Sequence, residues 1–380
     1  MRVLVITNDL PPRVGGIQYY VDQLCRGLLA AGDEVTVYGS TYEGAEAWDR
    51  HAPYTVVRER TSTLLPTPRV RRRALRLVGH TAADVVVFGA AFPLGLMGPA
   101  IRRRTGVPYL AFTHGLEVTA VRFPTGSRFL RHIGRGAGAV TYVSHWCESL
   151  LRPAFGEGPR HVLLPPAVDG AEYHDGVSGA EVRLRWGIGE APLVVCVSRL
   201  VERKGQDRLI AALPALRARV PGTRLMVVGG GPHRDALEAQ ATAAGVADAV
   251  TFTGVVADEE LPAHFAAADV FAMPCRERRR GLEVEAFGIV FIQAEAVGVP
   301  VVAGNIGGVP DTLVDGGTGV LVDGRDQGAV TAAVGDLLAD APRRAAMGSA
   351  AAKFVADGFT WARRTEQLRE LLASVASAPH

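Results

Sequence analysis

Short apolar runs alternate with amphipathic stretches along most of the chain. Runs rich in Val, Leu, Ile and Phe predict strands buried on both faces, and the stretches between them have the spacing of helices. Strands of this kind, separated by helices, form a parallel sheet that helices cover on both sides. The strands predicted for the first half are Val3–Thr7, Glu34–Tyr38, Val85–Phe88, Tyr109–Phe112 and Ala139–Val143, with helices over Gln18–Ala31 and Ser127–Gly134.

The pattern stops near residue 168 and then starts again. A stretch rich in glycine and charge, Gly170–Gly179, predicts a connection between two domains. The strands predicted after it are Leu193–Val197, Arg224–Val228, Ala249–Phe252, Val270–Met273 and Val301–Ala303, and a last helix is predicted over Thr360–Ala373.

The length of 380 residues exceeds the usual size of one hydrophobic core. We therefore predict an α/β fold of two Rossmann-like lobes that face each other across a cleft. The first lobe spans residues 1–168 and the second spans 169–358. We expect the helix in residues 359–380 to pack back on the first lobe.

The net charge of +2 is unevenly distributed. Residues 1–168 contain 20 Arg, no Lys and 12 acidic residues, a net charge of +8, and the remainder has a net charge of −6. Positive charge concentrates at Arg69–Arg76 and Arg102–Arg104. A basic lobe predicts an anionic partner such as a phospholipid surface, a phosphate-bearing acceptor or a nucleic acid. The alternative is a set of solvated helix faces.

Composition narrows the class of protein further. The chain is 48% hydrophobic and 21% charged, which is typical of a globular protein. No apolar run is long enough for a membrane span, and the N-terminus lacks the order of regions of a signal peptide. The four cysteines show no CxxC spacing. We therefore expect a reduced, cytoplasmic protein without a zinc site.

The first candidate loop follows the strand Val3–Thr7. It contains Asp9 and the paired glycines Gly15 and Gly16, which precede a helix. Glycines at this position let a backbone approach a ligand closely, and the first N–H groups of a helix favour an anion. The GxGxxG fingerprint is absent, which disfavours a nicotinamide dehydrogenase. The alternative interpretation is a tight strand–helix turn.

The second candidate loop follows the strand Leu193–Val197 and contains Arg199 and Lys204. Two cations on one loop can neutralise the growing charge of a diphosphate leaving group. No Asp-x-Asp pair occurs in the chain, which predicts that no metal bridges the diphosphate. The alternative is an ion-paired surface loop.

The third candidate segment precedes a helix that begins at Ile289. Glu285 would lie just before the helix, where a carboxylate can hold sugar hydroxyls, or cap the helix. Gln293 would lie inside the helix and hold ribose hydroxyls. Backbone N–H groups at the start of the helix would hold phosphate, and those of the turn formed by Phe287, Gly288 and Ile289 would help to hold the sugar.

Further candidates follow other strands. Gly230, Gly254 and Val255 come at or near predicted strand ends, where open α/β sheets bind ligands. His114 follows the strand Tyr109–Phe112 and could contact the donor sugar, although a lone histidine is more often structural.

Taken together, these motifs resemble retaining glycosyltransferase family 4, whose members have the two-lobed GT-B fold. The resemblance covers essentially the whole chain. The family's Arg…Lys phosphate pair matches Arg199 and Lys204, and the first Glu of its Glu-x7-Glu motif matches Glu285. Within the family, the chain looks most like the actinobacterial phosphatidylinositol mannosyltransferases that add the second mannose. The supporting stretches are residues 8–18, 88–91, 113–115, 200–207 and 271–276.

The resemblance implies a retaining, metal-independent hexosyltransferase that needs no cofactor. It implies GDP-mannose or another nucleotide-sugar as donor, held by the second lobe. The acceptor, held by the first lobe, would be a phosphatidylinositol mannoside or another glycolipid or small polar molecule, with no nucleic acid partner. The implied catalytic residues are Arg199, Lys204, Glu285, His114 and Asp9. The expected location is the cytoplasm. Because Arg69–Arg76 lies in a helical pattern that also contains apolar residues, we further expect this stretch to contact the inner face of the plasma membrane.

Three positions depart from the family pattern. The second Glu of the motif is Gln293, the usual glycine after the first Glu is Ala286, and the subfamily's second histidine is Leu116. They leave open a UDP-sugar donor with a natural-product or aminocyclitol acceptor. A UDP-sugar 2-epimerase of the same architecture and a non-catalytic nucleotide-sugar-binding module also remain open.

Overall fold

The computed structural model describes residues 1–13, 15–279 and 281–378, so Val14 of the first candidate loop lies outside it. Within these ranges, thirteen strands form two parallel sheets. The strands are β1 (Arg2–Thr7), β2 (Glu34–Ser40), β3 (Thr55–Glu59), β4 (Val85–Phe88), β5 (Tyr109–Phe112), β6 (Ala139–Tyr142), β7 (Arg160–Leu163), β8 (Leu193–Val197), β9 (Arg224–Val228), β10 (Val250–Gly254), β11 (Val270–Met273), β12 (Val301–Gly304) and β13 (Gly319–Val322).

Helices connect these strands, with short 3-10 turns in some of the loops. The α-helices are α1 (Gly16–Ala30), α2 (Ala45–Asp49), α3 (Pro68–His80), α4 (Gly98–Thr105), α5 (Glu117–Val121), α6 (Pro124–Gly134), α7 (His145–Phe155), α8 (Ala180–Arg185), α9 (Gln206–Arg219), α10 (Arg234–Ala243), α11 (Leu261–Ala266), α12 (Ile289–Ala296), α13 (Gln327–Ala339), α14 (Ala341–Gly358) and α15 (Trp361–Ala376).

The first sheet has the order β3-β2-β1-β4-β5-β6-β7, and every neighbouring pair is parallel. Its central strands β4, β5 and β6 are buried along their whole length, as their apolar sequences predict. The strands at the two edges, β3 and β7, were not predicted. Both are only partly buried and contain charged residues, so they lack the apolar signal of the central strands.

Helices cover both faces of this sheet. α3 contacts α4, α4 contacts α6, and α6 contacts α7, which places these four helices in one row. α1 connects β1 to β2, toward the β3 edge of the sheet, whereas the connections through α4, α6 and α7 run toward the β7 edge. Because crossovers between parallel strands are right-handed, α1 lies on the other face. The C-terminal helix α15 packs against α1, where Leu368 and Leu372 are buried.

The second sheet has the order β10-β9-β8-β11-β12-β13, again parallel throughout. β8, β9 and β10 follow one another toward one edge of the sheet, and β11, β12 and β13 follow one another toward the other edge. A crevice therefore opens between the loops that follow β8 and β11, which is where open α/β sheets bind ligands. The edge strand β13 was not predicted.

The chain divides into two compact units. One contains residues 1–166 and the segment that begins at Trp361, and the other contains residues 167–360. The corresponding expectations were boundaries at 168/169 and 358/359. The predicted connection Gly170–Gly179 is part of the second unit, because Tyr173 is buried there and Gly179 lies against Ala267.

Two further features bear on the class of protein. All four cysteines are buried and none forms a disulfide in the described part of the chain, and burial raises the pKa of Cys25, Cys196 and Cys275. Among helices of the described ranges, none combines the length and apolar character that a membrane span requires.

Candidate functional site

The crevice of the second sheet brings together charged residues from two loops. Arg203 and Lys204 belong to the loop after β8, and Glu285 belongs to the segment after β11. Lys204 Nζ and Arg203 Nη1 each donate to Glu285 Oε2 at 2.6 Å. The sequence separation of these partners is about 80 residues, so the ion pairs exist only because β8 and β11 are neighbours in the sheet.

Other contacts hold the two loops in register. The Arg276 guanidinium donates to both carboxylate oxygens of Asp207 at 2.9 Å, and the Arg276 N–H donates to the Arg203 carbonyl at 2.9 Å. Gly205 adopts a φ of 84° directly against the Pro274 carbonyl, where a Cβ atom would clash. A glycine is therefore required where the first loop passes the second.

The Glu285 carboxylate is held in its ionised form. Burial alone would raise its pKa, but attraction to Lys204 and Arg203 and their hydrogen bonds outweigh burial and lower it to about 2. The carboxylate therefore accepts hydrogen bonds at neutral pH and is not a proton donor. Two cations surround one anion, so this cluster has a net charge of +1.

Arg199 adds a further positive charge at the same loop. Its side chain is exposed, and within residues 1–13, 15–279 and 281–378 its guanidinium has no hydrogen bond or ion pair. The loop beneath it is fixed, because Gln206 Nε2 donates to Ser198 Oγ at 2.8 Å and to the Arg199 carbonyl at 3.1 Å. An unpaired cation on a fixed loop is available to an anionic ligand.

The turn after Glu285 exposes a helix N-terminus. Gly288 has a φ of 95° and precedes α12, and no side chain caps the helix there. The first N–H groups of α12, beginning with Ile289, therefore lack the partners that a cap would supply. Phe287 is buried against Phe359 at 6.0 Å between ring centroids, and the Glu285 carbonyl accepts from Gly308 at 3.0 Å.

The other residues of this unit that were predicted to contact the nucleotide-sugar donor lie at or near strand ends of the same sheet. Gly254 ends β10 and its carbonyl accepts from the Gly229 N–H at 2.8 Å, while the Gly230 carbonyl accepts from Leu200 at 2.9 Å. Val255 is 81% exposed. Their roles in ligand binding stay predictions.

The first unit has its own group of predicted residues at the carboxyl ends of β1, β4 and β5. Asp9 follows β1, and Gln18 Nε2 donates to its Oδ1 at 2.8 Å. Gly15 precedes α1 without a side-chain cap, and a Cβ atom on Gly16 would meet nothing within 4 Å. The backbone at the start of α1 is therefore open to an approaching group.

His114 is neutral and its tautomer is fixed. Its Nε2 lies 2.6 Å from the Gly89 carbonyl, which can only accept, so Nε2 bears the hydrogen and Nδ1 is an acceptor. Burial lowers the pKa of His114 to about 4, and the hydrogen bond to Gly89 offsets only part of this effect. The ring can accept a hydroxyl hydrogen bond, but it does not act as a cation at neutral pH.

Both halves of the chain match known glycosyltransferases. Residues 14–172 match the family described as Glycosyltransferase Family 4, and residues 181–354 match the family described as Glycosyl transferases group 1. A protein of Mycolicibacterium smegmatis, named GDP-mannose-dependent alpha-(1-6)-phosphatidylinositol monomannoside mannosyltransferase, is 49% identical over 98% of both chains. The chain belongs to glycosyltransferase family 4.

Further relatives share the same coverage. A Mycobacterium tuberculosis protein of the same name as the M. smegmatis relative is 46% identical, over 98% of both chains. The GDP-mannose-dependent monoacylated alpha-(1-6)-phosphatidylinositol monomannoside mannosyltransferase of Corynebacterium glutamicum is 38% identical, also over 98% of both chains.

Solved structures confirm the GT-B fold of this glycosyltransferase. A sucrose-phosphate synthase of Thermosynechococcus elongatus superposes with a TM-score of 0.82 at 24% identity, over the full length of both chains. The Anabaena protein HepE in complex with UDP superposes with a TM-score of 0.83 at 21% identity, over 98% of this chain and 100% of that one. At these identities the comparison concerns the fold alone.

Glu295 does not substitute for the second glutamate of the family motif, whose position is occupied by Gln293. Gln293 is 8% exposed, and its amide donates to the Tyr173 hydroxyl at 3.0 Å, so its ribose contact stays a prediction. Glu295 is fully buried and accepts from Thr318 Oγ1 at 2.6 Å. Burial raises the pKa of Glu295 well above its usual value. The enzyme therefore has a neutral side chain where the family motif has a carboxylate.

Sequence reasoning missed two residues of these sites. Arg203 shares the Glu285 carboxylate with Lys204, and the available signal was a second cation beside Lys204 in the same loop. Glu117 is 2% exposed at the start of α5 and accepts from the backbone N–H groups of His114 and Phe92. Burial raises the pKa of Glu117 to about 7, helped by nearby Asp9.

We predict that Glu117 makes the enzyme less stable as the pH rises from 5 to 8. The unfolded chain ionises Glu117 near its ordinary pKa of 4.5, while the folded protein keeps it protonated until about pH 7. The contribution of Glu117 to stability is therefore greatest below pH 4.5 and falls by about 3 kcal/mol in total as the pH passes 7. The variant Glu117→Gln, neutral at every pH, should lose this slope in urea unfolding measured at pH 5, 6, 7 and 8.

The matched control is Glu46→Gln, which removes an exposed carboxylate of the same unit and should keep the wild-type slope. Equal slopes for wild-type protein and Glu117→Gln would show that Glu117 does not titrate in this range.

Proposed function

We propose that this glycosyltransferase transfers mannose from GDP-mannose to a phosphatidylinositol mannoside, with retention of the anomeric configuration and without a metal ion. The relatives of 46–49% identity over nearly the whole chain have this donor and this acceptor class in their names. The observation that carries the proposal is the charge of the crevice between β8 and β11. Lys204, Arg203 and Glu285 sum to +1, and unpaired Arg199 raises the total to +2.

This charge suits the donor. The diphosphate that joins a nucleoside to a sugar has two ionised oxygens, and a third charge develops as the glycosidic bond breaks. Cations fixed in place by surrounding contacts stabilise that developing charge without reorganising. Arg199 and Lys204 would bind the diphosphate, and the uncapped N–H groups at the start of α12 would add donors.

Glu285 would bind the sugar rather than the phosphate. Its pKa of about 2 keeps it anionic, and one of its oxygens, Oε2, is already paired with Lys204 and Arg203. The second oxygen, Oε1, is left to accept hydrogen bonds from sugar hydroxyls. His114 would accept a further hydroxyl hydrogen bond at Nδ1, and Asp9 would orient the acceptor.

A retaining transfer of this kind needs no carboxylate nucleophile beneath the anomeric carbon. The acceptor hydroxyl would approach from the face that the diphosphate leaves, and a phosphate oxygen of the donor would take its proton. Bond cleavage and bond formation on one face preserve the configuration. The cations contribute by stabilising the diphosphate as it departs.

A second candidate is transfer of a different sugar to a different acceptor. Three substitutions favour it: Leu116, which is 68% exposed near His114, Ala286 beside Glu285, and the neutral Gln293. A thermal-shift screen of GDP-mannose, UDP-glucose and UDP-N-acetylglucosamine decides the donor. Turnover of the best ligand with and without a phosphatidylinositol mannoside then separates transfer from epimerisation, which needs no acceptor.

We predict that Arg199→Ala lowers kcat by roughly two to three orders of magnitude, because the variant loses a cation that stabilises developing charge. Its melting temperature should not change, since the side chain is exposed and makes no hydrogen bond or ion pair in the described part of the chain. Steady-state kinetics with GDP-mannose and the lipid acceptor measure the effect.

Arg217→Ala is the control, because it also removes a surface arginine of this unit, paired only at 3.6 Å with exposed Asp248. Near-normal kcat in Arg199→Ala, or an equal loss in Arg217→Ala, would remove Arg199 from the mechanism.

We also propose that α3 contacts an anionic membrane surface. The helix begins at Pro68 behind the capping Thr67, buries Val70, Ala74 and Val78, and exposes Arg72 and Arg76. Arg69, by contrast, is already paired with Glu59 at 2.7 Å. An apolar inner stripe with an outward row of arginines is typical of helices that bind at the surface of a bilayer.

We predict that the double variant Arg72→Glu/Arg76→Glu binds vesicles that contain acidic phospholipid at least about tenfold more weakly, since each cation near such a surface contributes about 1 kcal/mol. Co-sedimentation at two salt concentrations measures binding. Binding that ignores lipid charge, salt and these substitutions would mean that α3 is a solvated helix face.

A further inference from the structure

The arginine-rich surface of the first unit extends beyond α3. Residues 60–147 contain 13 Arg and two acidic residues, Asp84 and Glu117. Asp84 is paired with Arg2 at 2.8 Å, and Glu117 is buried. Arg69 of α3 is paired with Glu59, whereas the other arginines of α3, α4 and α6, which pack side by side, make no ion pair in the described residues. Protein surfaces normally intersperse both signs of charge, so such a face indicates an anionic ligand.

A cavity of about 680 Å³ that is open to solvent lies between α4 and α6 within this surface. Its lining contains Arg102, Arg103, His132 and Arg135 and no acidic residue. Arg102 is fixed, because its Nη1 donates to the Gly136 carbonyl at 2.9 Å. In the part of the chain that the structure describes, the side chains of Arg103 and Arg135 make no hydrogen bond or ion pair.

The ends of the two helices do not account for this charge. Both α4 and α6 end beside the cavity, and a helix C-terminus has a partial charge of roughly −0.5. The two ends therefore offset about one of the three arginines. Roughly two positive charges remain without a partner, and their mutual repulsion is relieved by a bound anion.

We propose that this cavity binds a phosphate group, as a second anion site separate from the donor and acceptor sites. The cavity residues precede β5 and β6, at the amino ends of these strands, whereas Asp9 and His114 follow the carboxyl ends of β1 and β5. A strand of four residues separates the two edges by roughly 13 Å. A single ligand phosphate held by Arg103 and Arg135 is therefore not the one that reacts.

The ligand is a phosphate ester of small-molecule size. A cavity of this volume holds one such molecule, and guanidinium groups match phosphate oxygens with paired hydrogen bonds. The same chemistry has two sources, the head group of a phospholipid and a soluble phosphate ester. This proposal does not depend on the identity of the donor or of the acceptor.

The test compares two double variants that each remove two arginines from the same unit. Arg103→Ala/Arg135→Ala empties the cavity of its unpaired cations, while Arg128→Ala/Arg131→Ala removes two from α6 outside the cavity lining. Phosphorus NMR titration measures binding of soluble glycerophosphoinositol, and co-sedimentation measures binding to phosphatidylinositol vesicles against phosphatidylcholine vesicles. Melting temperatures and GDP-mannose affinity are measured for both variants, and neither should change.

We expect the cavity variant to bind the phosphate probe or the phosphatidylinositol vesicles roughly tenfold or more weakly than the control variant, since two charge-assisted contacts are lost. A loss in the NMR titration assigns the site to soluble phosphate esters, and a loss confined to vesicles assigns it to the lipid head group. Equal losses of binding in both variants would overturn the proposal, because they would show that binding depends on the overall positive charge of the surface. No loss in either variant would also overturn it, because the cavity arginines would then not bind phosphate.

Discussion

The ion pairs that Glu285 makes with Lys204 and Arg203 are the interaction on which the proposed donor site of this glycosyltransferase depends. They join the loop after β8 to the segment after β11, at the one place in the second sheet where the direction of strand addition reverses. The Glu285 carboxylate is only 13% exposed, so removing one of its two cations would leave its charge partly uncompensated, at a cost of about 1–3 kcal/mol. The same contacts set the protonation state of Glu285 and leave the surplus positive charge that a diphosphate requires.

Most of the second unit could be predicted from the sequence, because its strands are apolar and its candidate site loops follow them directly. The strands β8, β9 and β11 match their predicted bounds, since all of their residues but Arg224 are buried. That β8 and β11 are neighbours in the sheet could not be predicted from the sequence, because parallel sheets pair strands that are distant along the chain. Arg203 was missed for this reason: its role is visible only once Glu285 is placed beside it.

Less of the first unit could be predicted from the sequence. Its edge strands β3 and β7 were missed because half-buried strands with charged residues resemble loops. His114 was found from its position after β5, but its neutral state depends on burial and on the Gly89 carbonyl. The only sequence signal for Glu117 was its position three residues after His114. Nothing in a sequence shows that a carboxylate will be buried. The segment 170–179 was taken for a connection because of its composition, whereas the packing of Tyr173 places it inside the second unit.

In the proposed mechanism the cations of the crevice bind the diphosphate of the donor. The most direct measurement is the affinity of the enzyme for GDP relative to guanosine, which lacks the diphosphate, in wild-type protein and in Arg199→Ala/Lys204→Met. Glu285 keeps Arg203 as a partner in this variant, and the ratio cancels any change that affects both ligands equally. We expect a preference for GDP of roughly a hundredfold or more in the wild type that falls by at least about tenfold in the variant. An unchanged preference would contradict it.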